Sequence, residues 1–350
     1  MDKYLKEDID KIKENKEIVF SDLSGKVVFV TGATGVIGYN FISTILSLNE
    51  DMDIPVKIIA LVRNQEKAKK MFGENDNLIF ISGDVTDPIH IETDIDYIVH
   101  AASQTSSRAF IEEPLNVIDV AISGTINTLE LAKEKNVSAY IYLSTMEVYG
   151  APESEEKITE MHSCNIDTMK VRSSYPESKR MCECICASYL QQYSIPVKVI
   201  RLTQTFGPGV RYDDNRVFAE FARCAIEKKD IILHTYGKTK RNYLYTADAV
   251  LAILIVLQKG KKGQAYNAAN EDTYCTIYDM AKMVCDKCAD GKINVVIDVD
   301  ESNMRGYAPT LIMNLDTNKI RSLGWKPYYS LPEMFERLCD SMKEEKKITS

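Results

Sequence analysis

The chain has 350 residues, 27% of them charged, and a formal net charge of −8. That length holds one large domain or two joined ones, and the acidic balance excludes a general nucleic-acid binder, which needs a basic stripe to displace counterions from phosphates. The apolar run Val250–Leu257 falls far short of the ~20 residues that cross a bilayer, and charges from Asp2 to Lys11 stand where a secretory signal would be apolar; the expectation is a cytoplasmic protein with no membrane partner.

In chain order, residues 1–24 form a helical preface. Leu5, Ile9 and Ile12 fall at i, i+4 and i+7, one narrow apolar stripe that predicts docking on the domain or on a neighbouring subunit. Organised alternation begins at Gly25. Strands are predicted at Lys26–Val30, Val56–Val62, Leu78–Ile81, Tyr97–Val99, Tyr140–Leu143 and Val197–Leu202. Helices are predicted at Val36–Leu48, Glu66–Phe72, Val117–Lys135 and Ser174–Tyr193. Strands alternating with helices make βαβ units and a parallel sheet covered on both faces. Beyond Leu202 the rhythm breaks. Phe206-Gly-Pro-Gly209 reads as a loop, Val217–Lys228 and Leu251–Leu257 as helices, 290–330 as irregular and Leu331–Cys339 as a closing helix.

Nine cysteines include Cys182-x-Cys184-x-Cys186 and the single CxxC of Cys285 and Cys288; with four scattered histidines, no zinc-type ligand set is completed. No metal is expected, and the thiols read as reduced and structural.

The first strand runs into Thr31-Gly32-Ala-Thr-Gly35-Val36-Ile37-Gly38, and a helix follows. Glycines at n, n+3 and n+6 allow a tight turn, close approach to a pyrophosphate and packing of the helix on the sheet. The helix N-terminus offers its free N–H groups to the phosphates. A turn alone would explain a lone glycine triplet; the position after the first strand points to a dinucleotide. Arg63 ends the second strand, with no Asp or Glu between Pro55 and Gln65. An acid there grips the ribose of NAD, whereas an Arg suits the 2′-phosphate of NADP, so NADP is favoured over NAD. Asp84 and Val85 follow the third strand, where Asp84 faces the adenine; Ala101 and Ala102 follow the fourth, small enough for a cofactor lying across the strand ends.

Tyr175 and Lys179 lie at i and i+4 on one helix face. A free phenol titrates near ~10, and a neighbouring ammonium favours the phenolate, making Tyr175 a usable base. The fifth strand ends at Ser144-Thr145-Met146-Glu147. A hydroxyl at that end lies in the crevice where such sheets bind ligands, so Thr145 can share a proton with Tyr175. Glu147 is the carboxylate beside them, either a proton carrier for a neighbouring carbon or a simple cap.

TGxxGxxG, STxEVYG and YPESK, in this order, resemble the extended short-chain dehydrogenase/reductase family in its nucleotide-sugar epimerase/dehydratase branch, over about residues 25–340. The resemblance implies a Rossmann-type doubly wound α/β fold with a smaller C-terminal substrate-binding cap. The NAD(P)-binding domain would hold residues 25–202 and about 240–268; about 203–239 and 269–345 would form the cap. It also implies oxidation of a sugar C4 hydroxyl, chemistry on the 4-keto sugar and usually hydride return, with Tyr175 as base, Lys179 its partner and Thr145 the third member. Arg201-Leu-Thr-Gln204 and Phe206-Gly-Pro resemble the segment that contacts a nucleotide-sugar diphosphate; Arg216 and Arg241 resemble the arginines over the nucleotide and phosphates. The run from Arg172 to Arg180 is most similar to UDP-glucuronate decarboxylases.

Four positions depart from the branch's pattern: Met146 for an acid or hydroxyl, Ala121 and Gln204 for Asn, and Arg63 for Asp. Met cannot protonate a leaving C6 hydroxyl, which favours epimerisation or decarboxylation over 4,6-dehydration. An NADPH-consuming reductase of a nucleotide-linked keto sugar is the alternative, and a catalytically silent nucleotide-binding protein a third. Relatives pair the helices equivalent to Val117–Lys135 and Ser174–Tyr193, which implies a homodimer.

Overall fold

The structure, a computed structural model, describes residues 2–299 and 310–349. Seven strands form its large sheet: β1 (Val27–Thr31), β2 (Lys57–Val62), β3 (Leu78–Ser82), β4 (Tyr97–His100), β5 (Ala139–Thr145), β6 (Val197–Leu202) and β10 (Gln264–Ala268). Their order is β10-β6-β5-β4-β1-β2-β3, every pair parallel. Runs such as Val-Val-Phe-Val and Tyr-Ile-Tyr-Leu are apolar at successive positions because both faces are covered. On one face Val28, Val30 and Ile58 pack with Phe41, Ile42 and Ile45 of the helix Val36–Leu48. On the other Phe29, Ile98 and Tyr140 pack with Leu129, Ala132, Cys182 and Cys186 of the helices Pro114–Glu134 and Ser174–Tyr193. This is the expected doubly wound Rossmann arrangement. Because β1 lies between β2 and β4, the chain leaves it in opposite directions, which opens a crevice at the strand ends.

The smaller layer is built from β7 (Gln204–Phe206), β8 (Ile231–Leu233), β9 (Lys240–Tyr245), β11 (Asn270–Thr276), β12 (Val295–Ile297) and β13 (Ile312–Met313). β9 pairs with β7, β11 and β13, and β8 with β12. Residue 240 therefore begins a strand of the small sheet, and the return to the large one starts with the helix Thr246–Lys259. That helix begins five residues before its predicted start at Leu251; it is buried from Thr246 to Leu257, so no amphipathic period marks its first turn. A further helix, Ile277–Cys288, opens on a capping box in which Thr276 and Asp279 exchange hydrogen bonds. The stretch expected to be irregular contains β12, β13 and the short helix Asn318–Arg321, and in part lies outside the described residues.

Asp2 caps the N-terminal helix Lys3–Lys13 by accepting from the Tyr4 and Leu5 amides. Its stripe of Leu5, Ile9 and Ile12 is buried against the helices Val36–Leu48, Thr246–Lys259 and Leu331–Thr349. The preface docks on its own chain. All nine cysteines are free thiols. No helix among the described residues is long and apolar enough to cross a membrane.

Candidate active site

A cleft of about 1180 Å³ runs along the carboxyl ends of the large sheet and under the small layer. Gly32, Gly35, Val36, Ile37, Gly38, Arg63, Asp84, Val85, Ala101, Ala102, Thr145, Glu147, Tyr175, Lys179, Gln204, Arg216 and Arg241 all line it.

At one end, Gly32 has φ +68°, and a Cβ there would stand 2.6 Å from the Ala101 carbonyl carbon and 2.7 Å from the Ala102 nitrogen. A Cβ on Gly38 would collide with the backbone of Gly32 and Ala33. Gly35 is the N-cap of Val36–Leu48 and supplies no side chain to it, leaving the first-turn N–H groups facing the cleft. This cradle, kept open by the missing Cβ atoms, fits a pyrophosphate. Thr31 ties the loop to β4: its Oγ1 accepts from the Ala102 amide at 3.1 Å and bonds His100 Nδ1 at 2.7 Å. Burial and then the Lys179 charge push His100 down to about 3, leaving its imidazole neutral at physiological pH.

Arg63 stands exposed at the end of β2, with Lys67 lining the cleft one turn into the next helix. Asp84 Oδ1 accepts from the Thr86 amide and hydroxyl; those bonds, ahead of the Arg63 charge, hold its carboxyl below the usual range.

Tyr175 is buried midway along the cleft, its ring stacked on Phe110 at 4.3 Å and 13° from parallel. Burial, then the Glu147 charge, pushes the phenol above its ordinary value; the neighbouring Thr145 and Ser103 hydroxyls and the Arg172 charge oppose this. Lys179 is buried too, and burial pushes its ammonium down. Its Nζ donates to the Leu143 carbonyl at 2.7 Å and lies 4.4 Å from the Tyr142 ring centroid, so it is anchored to β5 rather than to the phenol expected as its partner. Thr145 closes β5 and caps the following turn by accepting from the Glu147 amide at 3.2 Å. Arg172 meets Glu147 with two nitrogens, at 2.9 and 3.2 Å.

Opposite, the Gln204 Oε1 and Arg241 Nε atoms are buried without a hydrogen-bond partner. Arg216 pairs with Asp214 at 2.6 Å and lies over Phe218. Arg201 departs from the expected role: its guanidinium is tied to Glu183 at 2.6 Å, to the Tyr149 hydroxyl and to the Glu160 carbonyl, and it does not line the cleft. Through Glu183 it holds β6 to the helix Ser174–Tyr193. Met146 is buried and accepts from the Thr203 hydroxyl.

Sequence reasoning assigned no site role to Lys67, Ser103, Phe110 or Arg172. For Arg172 there was a signal, a cation one turn ahead of Tyr175. Lys67 on the helix Gln65–Phe72, Phe110 on the short helix Ala109–Glu112 and Ser103 in the segment after β4 reach the cleft through the fold and carry no local pattern.

Residues 28–269 match the family described as "NAD dependent epimerase/dehydratase family". The chain belongs to that family. Within this epimerase/dehydratase family, it is similar to UDP-glucuronic acid decarboxylase 6 of Arabidopsis thaliana, 29% identical over 308 residues that cover 87% of this chain and 85% of the relative. It is likewise similar to the dTDP-D-glucose 4,6-dehydratase of Bos taurus, 29% identical over 342 residues, 92% of this chain and 90% of that one. Among solved structures, the dTDP-glucose 4,6-dehydratase of Streptomyces venezuelae, determined with NAD bound, superposes with a TM-score of 0.76 at 22% identity, over 92% of this chain and 98% of that one. The extended short-chain dehydrogenase/reductase resemblance drawn from the three motifs thus stands, and the chain is an enzyme of this family.

Proposed function

We propose that the protein remodels a nucleotide-diphosphate sugar through a 4-keto intermediate, with a nicotinamide dinucleotide held along the strand ends. The observation that carries this is the single cleft in which a glycine cradle, the Tyr175–Thr145 pair and the orphaned polar atoms of Gln204 and Arg241 follow one another. Gly32, Gly35 and Gly38 with the amides of Val36 and Ile37 hold the pyrophosphate; Asp84, Val85, Ala101 and Ala102 flank the adenosine half; Lys179 holds the nicotinamide ribose. When bound, the cofactor supplies a hydride acceptor and, oxidised, a positive charge. Tyr175 Oη takes the proton of the sugar C4 hydroxyl and Thr145 shares that hydrogen bond. Glu147 serves the carbon next to the new ketone. Arg241 and Gln204 receive the diphosphate, and Arg216 the nucleotide.

Met146 offers no proton to a departing hydroxyl, so epimerisation or decarboxylation is favoured over dehydration. Arg63, joined by Lys67, supports NADP over NAD, and the same pair supports the second reading, a reductase that consumes NADPH. The exposed Leu115, Met181 and Tyr193 on the helices Pro114–Glu134 and Ser174–Tyr193 support a homodimer through those helices. The location proposed is cytoplasmic.

The test is incubation of the purified protein and of Tyr175→Phe with UDP-glucuronate, UDP-glucose and dTDP-glucose, products read by NMR. Conversion without net change at the reduced-nicotinamide band is expected, and its loss in the variant. Net NADPH consumption would select the reductase; undiminished turnover by Tyr175→Phe would remove the base.

A further inference from the structure

Tyr175 belongs to a small apolar cluster with Ala109, Phe110 and Val117, set apart from the two main cores. Phe110 serves two neighbours. Its ring lies face to face with Tyr175, and the Arg172 guanidinium sits 4.6 Å from its centroid. The same guanidinium forks onto Glu147, Nη1 to Oε2 at 2.9 Å and Nη2 to Oε1 at 3.2 Å. Fork-to-carboxylate geometry fixes both partners in orientation as well as distance. Arg172 thus touches both the carboxylate that faces the phenol and the ring on which the phenol rests.

The other charges near Tyr175 are committed elsewhere. On the segment carrying Phe110, Arg108 pairs with Glu112. Lys170 lies 3.7 Å from Asp167. On the helix of Tyr175 itself, Lys179 donates to the Leu143 carbonyl and Arg180 to the Val148 and Cys164 carbonyls. Glu147 and Arg172 remain as the charged groups that act most strongly on the phenol, in opposite directions, with the Thr145 and Ser103 hydroxyls as its polar neighbours.

We propose that Arg172 is a positioning residue for Tyr175: its fork holds and neutralises Glu147, and its contact with Phe110 fixes the ring against which the phenol is stacked. The inference rests on Tyr175 being the base. Without Arg172, the Glu147 charge acts on the phenol uncompensated and disfavours the phenolate; a like charge added nearby, or an opposite one removed, moves a titration by about a unit. Without Glu147 the phenolate is favoured. Removing both cancels the effect, which loss of a merely structural arginine would not do.

The test reads the phenol directly and needs no substrate. A tyrosine bearing several ring fluorines, which titrates well below tyrosine itself, is placed at position 175 of the full chain and followed by fluorine NMR against pH. The expected midpoint moves up by about one unit in Arg172→Gln and down in Glu147→Gln. In the double variant it returns towards the parent, and Arg172→Lys, which keeps the charge, stays closer to the parent than Arg172→Gln. A midpoint unmoved by Arg172→Gln, or a double variant displaced as far as Arg172→Gln, overturns the proposal. If Arg172→Gln fails to fold, the order of parent, Arg172→Lys and Glu147→Gln decides: Glu147→Gln level with the parent overturns it. The base itself is judged separately, by whether Tyr175→Phe still turns over UDP-glucuronate, UDP-glucose or dTDP-glucose, so the two failures are told apart.

Discussion

Tyr329 donates its hydroxyl proton to Asp8 at 2.7 Å, joining the first helix of the chain to the segment that leads into the last. The carboxylate also receives Arg337 Nη1 at 3.1 Å, yet its Oδ2 atom is buried without a partner. Burial pushes the Asp8 carboxyl up to about 6, against the hydrogen bond from Tyr329 and the Arg337 charge.

A pH dependence follows from that relationship. The native value lies above the unfolded one of ~3.9, so the folded chain holds this proton longer. The associated stability is complete below about pH 4 and is lost as pH rises through about 6. Urea unfolding at intervals across that range should show the parent losing ~2–3 kcal/mol relative to Asp8→Asn, in which the group cannot ionise. Groups common to both proteins cancel in the difference. Parallel stability curves would contradict the assignment.

Gly38→Ala should empty the cofactor site while sparing the fold. Alanine is the better helix former, but its Cβ would press on the Gly32 and Ala33 backbone, the floor of the cradle. Nicotinamide dinucleotide released from denatured protein should fall at least ~10-fold per chain, as a weakening of Kd by ~10-fold or more requires, with the far-ultraviolet circular dichroism unchanged. Full occupancy in the variant would place the pyrophosphate elsewhere.

Arg63→Asp should exchange the preferred cofactor. Arg63 and Lys67 are the cations lining the end of the cleft beside β2 and the helix that follows it, and an acid at that point suits an unphosphorylated ribose. Titration with each dinucleotide should show NADP losing ~10- to 100-fold and NAD holding or gaining, with Lys67→Ala weakening NADP alone. Equal losses for both would mean that Arg63 serves the adenine rather than a 2′-phosphate.

Ile9→Ala tests the docked preface. The side chain is buried between helices from both ends of the chain, so its truncation should cost ~2–4 kcal/mol in urea unfolding. A cost below ~0.5 kcal/mol, the range of surface changes, would show that the helix contributes no stability to the rest.

What the sequence made legible follows from what each segment has to bury. β1, β2, β5 and β6 are covered on both faces, and their unbroken apolar runs could be read directly. β9, Lys-Arg-Asn-Tyr-Leu-Tyr, begins with three polar residues that meet different partners: Lys240 pairs with Glu155, Arg241 lines the cleft and Asn242 accepts from the Leu315 amide; its pairing with strands from three distant segments leaves no local pattern. The Thr276 and Asp279 capping box is a local helix start, but the mixed polarity around it gives no periodic face to extend it. Glycines and strand-end hydroxyls found the cleft because backbone geometry fixes where they go. Arg201 and Arg172 show the reverse: a long side chain chooses its partner in three dimensions, and Glu183 claimed the one while Glu147 claimed the other.

The docked first helix also bears on how the cleft admits a ligand. It touches Val36–Leu48 and Thr246–Lys259, which belong to the large sheet's layer, and Leu331–Thr349, which closes the chain beside the small one. A hinge between the layers would have to part Asp8 from Tyr329 and Arg337, Glu7 from Arg337, and Tyr4 from Asp340 together. Opening the cleft by parting the two layers would therefore cost all of these contacts at once.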